Sequence, residues 1–371
     1  MEKLYFDYAS TTPVDEDVLK AYIDASKDFF NPSALNTSSL DVKRKIEECR
    51  EHILRVLNGK PKSKFVFTSC ASESNNTVLR SCIRRKDKKY IVTIGEHSSI
   101  YNTCKAMINE GYNIDFVPLK ADGTVDEDVL YSMIDNKTDF LSIIHVNNET
   151  GAINDIKSIV KNVKKINPNI LVHSDGVQAL KKLDVNLTDL GVDFYTISSH
   201  KINGVKGVAG LYISSNARLI PLIYGGGQEM GLRGGTENYS AVKAFEVAIS
   251  KPNFDLKILQ NMKDEFINHL SVPYHLISKN NCVPNIISIA FDGVRGETLL
   301  HLLDDKGFIV GTGSACNSKD TTNRVLYAMG ITKKLALGNL RISFDYTSKE
   351  NLISLADAIN DGVNYLRRLN N

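Results

Sequence analysis

An α/β fold, with a mostly parallel sheet flanked by helices and a smaller α+β unit beside it, is predicted by three features of the sequence. Between Lys64 and Ile197, short apolar runs alternate with helical stretches. That strand–helix–strand rhythm puts parallel strands between layers of helices. The polar clusters of this stretch each follow directly on an apolar run, so they gather at the carboxyl ends of strands, where such sheets bind ligands. From about Asn253 the rhythm changes, and 371 residues exceed what a single hydrophobic core usually serves.

In chain order, Leu4 to Tyr8 reads as a short strand ending in the turn-like Ala9-Ser10-Thr11-Thr12-Pro13. Helices are expected from about Asp15 to Asp28 and, past the break at Asn31-Pro32-Ser33, from about Ser39 to Leu57. Lys64 to Thr68 is a buried strand; small polar residues from Ser69 to Asn76 lead into a helical pattern from Val78 to Arg84. A strand-to-helix turn of that kind leaves backbone N–H groups free to hold a phosphate, or it is a plain capping box. Strands follow at Tyr90–Ile94, Ile114–Pro118 and Phe140–Val146, with helices after Ser99 and at Asp126–Ile134 and Ile156–Ile166. Asn169 to Val172 and Phe194 to Ile197 are further strands. Gly204 to Gly210 lacks the dinucleotide fingerprint spacing and leads into a strand, Val208 to Ile213, rather than a helix, which argues against a dinucleotide site. A glycine-rich loop, Tyr224 to Thr236, precedes a helix from Asn238 to Ser250. The second unit reads as helix Leu256–Leu270, strand Ile286–Phe291, helix Glu297–Lys306, strand Phe308–Gly311, helix Thr322–Met329, strand Leu340–Phe344 and helix Lys349–Leu369.

Hydrophobic residues make up 42% and charged residues 24% of the chain, and the formal net charge is +2. Neither a nucleic-acid nor a membrane surface is favoured by that balance. The six cysteines form no Cys-x-x-Cys pair and no zinc spacing. The first residues do not resemble a signal peptide, and no apolar run is long enough to span a bilayer. A reducing cytoplasm with free thiols is expected.

Two stretches carry chemistry. Ser198-Ser199-His200-Lys201 follows a strand and precedes glycine-rich backbone, so its lysine can stand in a pocket, where desolvation would ready the amine for a Schiff base. His173-Ser174-Asp175-Gly176-Val177-Gln178 ends another strand. Taken singly, Lys201 reads as a surface lysine and Asp175 as a helix cap. Together they supply what pyridoxal phosphate needs: an amine for the aldehyde and a carboxylate for the pyridine nitrogen. Cys316 differs from the other five cysteines, which read as packing residues. Its neighbours, Gly-Thr-Gly-Ser-Ala before it and Asn-Ser after it, offer no apolar face to bury against, and a reactive thiol there would need a lowered pKa.

These two stretches, with Arg233-Gly234-Gly235-Thr236-Glu237-Asn238, resemble the class V aminotransferase-like group of fold-type I pyridoxal-phosphate enzymes. Gly311-Thr312-Gly313-Ser314-Ala315-Cys316 narrows the resemblance to cysteine desulfurases related to those serving iron–sulfur assembly and tRNA thiolation, and it runs from Tyr5 to the last helix. The resemblance implies a large domain at 13–252 with a seven-stranded sheet. It also implies a small domain made of 1–12 and 253–371 that carries the cysteine loop. For the site it implies pyridoxal 5′-phosphate on Lys201, with Asp175 at the ring nitrogen and His97 stacked on the ring. Asn148 and Gln178 would meet the ring hydroxyl oxygen. Ala71, Ser72, Ser198 and His200 would lie near the phosphate, with Thr236 reaching it from the partner of a homodimer. Arg341 would grip the substrate carboxylate. Many members carry Gly where this chain has Cys70.

The implied reaction turns L-cysteine into L-alanine. Lys201 removes the Cα proton, Cys316 takes the sulfur as a persulfide, and His97 handles the thiol proton. The sulfur then passes to an acceptor protein, either an iron–sulfur scaffold or a thiolation enzyme, without direct nucleic-acid contact. The alternatives are a selenocysteine lyase or other class V aminotransferase, and a non-catalytic sulfur-handling scaffold.

Overall fold

The computed structural model describes residues 3–312 and 323–369. Its strands are β1 (Leu4–Phe6), β2 (Lys64–Thr68), β3 (Lys89–Thr93), β4 (Asn113–Val117), β5 (Thr138–Ile144), β6 (Leu171–Asp175), β7 (Phe194–Ser198), β8 (Ala209–Ile213), β9 (His275–Leu276), β10 (Ile286–Ala290), β11 (Phe308–Val310) and β12 (Asn339–Ser343).

Seven strands form the main sheet, in the order β2-β8-β7-β6-β5-β3-β4. Only β8 runs antiparallel to its neighbours. The loop between β7 and β8 is too short for a parallel crossover, which needs a dozen or more residues and usually a helix, so the chain turns straight back. The central strands β7 and β8 are buried along their whole length, and β6 is buried past its first residue, as expected when helices cover both faces. The helix Ile156–Ile166 shows how those helices are specified. Ile156, Ile159, Val160 and Val163 make one buried stripe, and the Asp155 side chain accepts from the Ser158 amide at 3.1 Å.

One element starts well before its predicted place. The helix expected from Val78 begins at Ala71. Its first two turns are polar, so they show no apolar stripe, yet Ser74, Asn75 and Thr77 are buried and hydrogen-bonded. Gly176, directly after β6, is required by packing: a Cβ there would lie about 2 Å from the Tyr195 ring.

The C-terminal elements build a second layer. β12, β10 and β9 form an antiparallel sheet, and β1 pairs in parallel with β11. Bridges from Asp7 to Ser343 and from Gly311 to Arg341 stitch the two small sheets together. Phe6 packs in one cluster with Phe308, Ile287, Ile342 and Ile359, separate from the clusters on the main sheet. The first strand of the chain is thus held by residues from the last third. Among the described residues no helix is long and apolar enough to cross a membrane.

Candidate active site

A cavity of about 410 Å³ opens at the carboxyl ends of β2, β5, β6 and β7 and is closed on one side by residues of the small unit. Nine of the predicted site residues line it: Ala71, Ser72, His97, Asn148, Asp175, Gln178, His200, Lys201 and Arg341.

At one end the helix Ala71–Cys82 begins. Cys70 occupies its cap position in extended backbone and gives no side-chain cap. The Glu73 and Ser74 amides bond back to the Cys70 carbonyl at 3.1 and 3.2 Å. The remaining first-turn amides, at Ala71 and Ser72, sit at the positive end of the helix, an arrangement suited to an anion. Glu73 braces the turn by accepting from Ser69 N (2.8 Å) and Ser69 Oγ (2.5 Å), and Arg233 pairs with it at 2.9 Å. Cys70 is exposed and lines the cavity, so it is not the packing residue expected. Cys49, Cys104 and Cys282 are buried, and burial pushes their thiols up to about 11, 12 and 11.

Asp175 ends β6 and is buried. Its Oδ1 accepts from the Val177 amide at 3.0 Å and its Oδ2 from Asn75 Nδ2 at 2.9 Å. Asn75 Nδ2 also donates to Ser99 Oγ at 3.0 Å, and Ser99 Oγ lies 2.9 Å from His97 Nδ1. A hydrogen-bonded path therefore joins the buried acid to the histidine. His97 caps the helix Ser98–Asn109, with Nδ1 accepting the Ser99 amide at 3.2 Å. A backbone N–H only donates, so the neutral ring carries its proton on Nε2. The other tautomer keeps the Ser99 Oγ contact but gives up the cap, at a cost of about 1 kcal/mol. Surrounding protein favours the uncharged ring although it opens on the cavity; Asp175 opposes that, while Lys201, Arg324 and Arg341 reinforce it.

Lys201 closes a single 3-10 turn, Ser199–Lys201, after β7. Its Nζ donates to the Ala9 carbonyl at 2.7 Å and to the Ser10 carbonyl. Burial, reinforced by Arg341, brings its amine down to about 8, with Asp7 and Asp175 partly offsetting the effect. His200 contacts Thr11 Oγ1 at 3.1 Å and is held near 4 by burial and Lys201. Gln178 donates from Nε2 to the Ala9 carbonyl at 2.8 Å. Arg341, from β12, donates from Nη2 to Asp7 Oδ1 at 2.7 Å and from Nη1 to the Asn148 carbonyl at 3.0 Å, while its buried Nε has no partner among the described residues.

Three predicted residues stand apart. Ser198 is buried and does not line the cavity, and its Oγ has no partner among the described residues. Thr236 is exposed on its loop and does not line this chain's cavity. Cys316 lies outside the described residues.

The cavity also holds residues that sequence reasoning missed. Glu149 is buried, one carboxylate oxygen has no partner among the described residues, and burial raises it to about 7 against the pull of Arg324 and Arg341. Arg324 lies 4.1 Å from the Tyr101 ring centroid and donates to the Ile94 and Glu96 carbonyls. Beneath it, Glu96 is raised to about 8 by burial and by Asp175. Glu149 could have been suspected from its place beside Asn148; nothing in the local sequence marks Arg324. Among the described residues no cluster of His, Cys, Asp and Glu could hold a metal ion.

The profile of the Aminotransferase class-V family matches residues 4–355. The chain is 35% identical over 381 residues to the cysteine desulfurase IscS of Dictyoglomus turgidum, covering 99% of this chain and 96% of that protein. It superposes on a solved NifS-like protein with a TM-score of 0.91 at 32% identity, over 98% of this chain and 100% of the other. It also superposes on SspA solved in complex with cysteine, with a TM-score of 0.82 at 31% identity, over 92% and 99%. With a lysine, an acid and a histidine around one cavity at the strand ends, and with these likenesses along nearly its full length, the chain belongs to the class V aminotransferase family and, within it, to the cysteine desulfurases.

Proposed function

We propose that the chain binds pyridoxal 5′-phosphate on Lys201, converts L-cysteine to L-alanine, and passes the sulfur through Cys316 to an acceptor protein. The observation that carries this reading is the convergence of the Lys201 amine, the Asp175 carboxylate and His97 on one cavity. The residues fit the cofactor. Among the described residues Lys201 Nζ is bonded only to carbonyls, the buried Ser198 Oγ lacks a partner, and the Ala71 and Ser72 amides open a helix with no side-chain cap.

Lys201 would hold the cofactor, Asp175 would face its ring nitrogen, and His97 would lie against the ring. Asn148 and Gln178 would meet the ring oxygen, with Ala71, Ser72, Ser198 and His200 toward the phosphate. When bound, the cofactor supplies an electron sink for a carbanion at the substrate Cα. The chain's own groups do the rest. The Arg341 fork suits the substrate carboxylate. Lys201, with its amine near 8, takes the Cα proton at Nζ and can return it. Asp175 is held by Val177 and Asn75 so that its carboxylate stays oriented. His97 offers Nε2–H to the substrate sulfur, and it can take a proton there only by exchanging tautomers. The Cys316 thiolate forms a bond to that sulfur as the carbon–sulfur bond breaks. Protonation of the electron pair left on carbon gives alanine, and the sulfur remains as a persulfide.

Units 13–252 and 1–12 with 253–371 are proposed as the two domains, the second bringing Asp7 and Arg341 to the first. A homodimer is part of the same reading: Tyr224, Met230 and Thr236 stand exposed on the glycine-rich loop, as a shared interface would need. A cytoplasmic setting is also proposed, and the five described cysteines carry free thiols. Iron–sulfur assembly or thiolation would use the persulfide.

Reconstituted protein is expected to turn yellow and to bleach on borohydride, and to release sulfide and alanine from cysteine with a thiol reductant. Cys316→Ser should keep the colour and lose sulfide release. Full turnover by that variant would overturn the persulfide role, and a protein that captures no cofactor would overturn the whole reading.

A further inference from the structure

We propose that Lys182 is a positioning residue: it fixes which end of the Gln178 amide faces the cavity, making Gln178 a hydrogen-bond donor to the ring oxygen of bound pyridoxal phosphate. This rests on the cofactor reading above and concerns a residue outside the cavity wall.

Lys182 and Gln178 are both buried, at 6% and 3% exposure. Lys182 Nζ donates to Gln178 Oε1 at 3.0 Å, and among the described residues no carboxylate acts on it. At the other end of the amide, Nε2 donates to the Ala9 carbonyl at 2.8 Å, the same oxygen that accepts from Lys201 Nζ at 2.7 Å. The Ala9 carbonyl only accepts, so it holds Nε2, and Oε1 is left facing Lys182 Nζ, which has N–H to donate whether or not the amine carries its extra proton. The chain Lys182–Gln178–Ala9–Lys201 therefore links a buried amine to the reactive one. With the amide so held, its second N–H is available to the cavity that Gln178 lines.

The backbone around Lys182 is shaped to this end. Lys181 adopts φ 69°, the left-handed region that side chains rarely accept, and its own Nζ caps the Ile249 carbonyl at 2.6 Å. Two successive lysines are thereby buried toward different partners. Burial, reinforced by Lys201, lowers the Lys182 amine to about 7, the direction expected for an amine taken out of water beside a second cation. A surface role would not require this.

Removing the amine leaves Gln178 Oε1 a buried acceptor without a partner. Only the Ala9 carbonyl then holds the amide, and its oxygen is free to turn toward the cavity, where the amide would oppose the cofactor's ring oxygen instead of donating to it. The test is equilibrium affinity of the apoprotein for pyridoxal phosphate, followed by absorbance, in a double-mutant cycle of Lys182→Met and Gln178→Ala. Lys182→Met should weaken binding about ten-fold, the effect of losing one hydrogen bond. In the Gln178→Ala background it should cause no further loss, because a residue acting through Gln178 has nothing left to act on. Lys182→Arg, which keeps a donor, should bind within about three-fold of wild type. The proposal is overturned by wild-type affinity in Lys182→Met, by independent losses that multiply in the double variant, or by Lys182→Arg binding as weakly as Lys182→Met. Failure of the wild type to capture the cofactor would instead overturn the function reading, and this inference with it.

Discussion

In the role proposed for it Lys201 must be neutral to attack an aldehyde, yet it sits where two carbonyls solvate an ammonium. Burial and Arg341 resolve the conflict by bringing the amine from its ordinary 10.5 to about 8. Between these values the unfolded chain binds a proton that the folded chain does not, so this group's contribution to stability rises with pH from about 8 to about 10.5. The neutral fraction also sets the rate of cofactor capture. That rate should rise about ten-fold per pH unit below 8 and level off above it, as followed by absorbance after mixing apoprotein with pyridoxal phosphate. A rate flat from about pH 6 to about pH 9 would mean that this amine is not the nucleophile, and one still climbing ten-fold per unit past pH 9 would mean that it is not desolvated. At this scale the sequence was partly legible. Lys201 and Asp175 could be paired because each ends a strand, but their environment could not be read. The carbonyls, Arg341 and Asp7 come from distant parts of the chain, and a composition of small polar residues around Lys201 carries no sign of them.

At the scale of elements, periodicity located the strands and amphipathic helices to within a few residues. It failed where buried side chains are polar. Ser74, Asn75 and Thr77 are packed against the sheet because they bond to Thr68, to Asp175 and to the Glu73 carbonyl. Such a face has no hydrophobic signature to read. The glycine-rich loop is a second case, since its composition marks a loop and gives no sign of what anchors it. Glu229 is buried within it, takes two hydrogen bonds from buried Arg50 at 2.6 and 3.0 Å, and accepts the Phe67 amide of β2 at 2.8 Å. Glu229 and Met230 pay for this with positive φ angles of 49° and 57°. Glu229→Ala strands the Arg50 charge and should cost about 3–5 kcal/mol, as expected for breaking a buried pair from one side. Chemical denaturation would measure the loss, and protease cleavage within the loop should accelerate in the same variant. Unchanged stability would mean that Glu47, which also pairs with Arg50 at 3.0 Å, suffices.

At the scale of the molecule, the cavity is assembled by topology. β1 pairs with β11, and the bridges from Asp7 to Ser343 and Gly311 to Arg341 bring the first residues of the chain against the last strand. Arg341 is then held between Asp7, from the N-terminus, and the carbonyl of Asn148, at the end of β5. No local pattern could reveal that junction, because it depends on which strand ends meet and not on which residues are neighbours. Gly311 is part of it: a Cβ there would lie 2.6 Å from Asp7 Oδ1. The guanidinium that the substrate carboxylate would need is therefore oriented by a carboxylate of the protein. Two outcomes are conceivable for Asp7→Asn, and the geometry selects one. Asp7 and the Asn148 carbonyl hold separate nitrogens, leaving Nε unpartnered, so Asp7 orients the fork without using all of it. Loss of the Asp7 charge should loosen the fork and raise KM for L-cysteine about ten-fold while kcat changes little, the signature of lost binding that is shared by ground and transition states. A lower KM in steady-state assays would show instead that Asp7 competes with the substrate for Arg341.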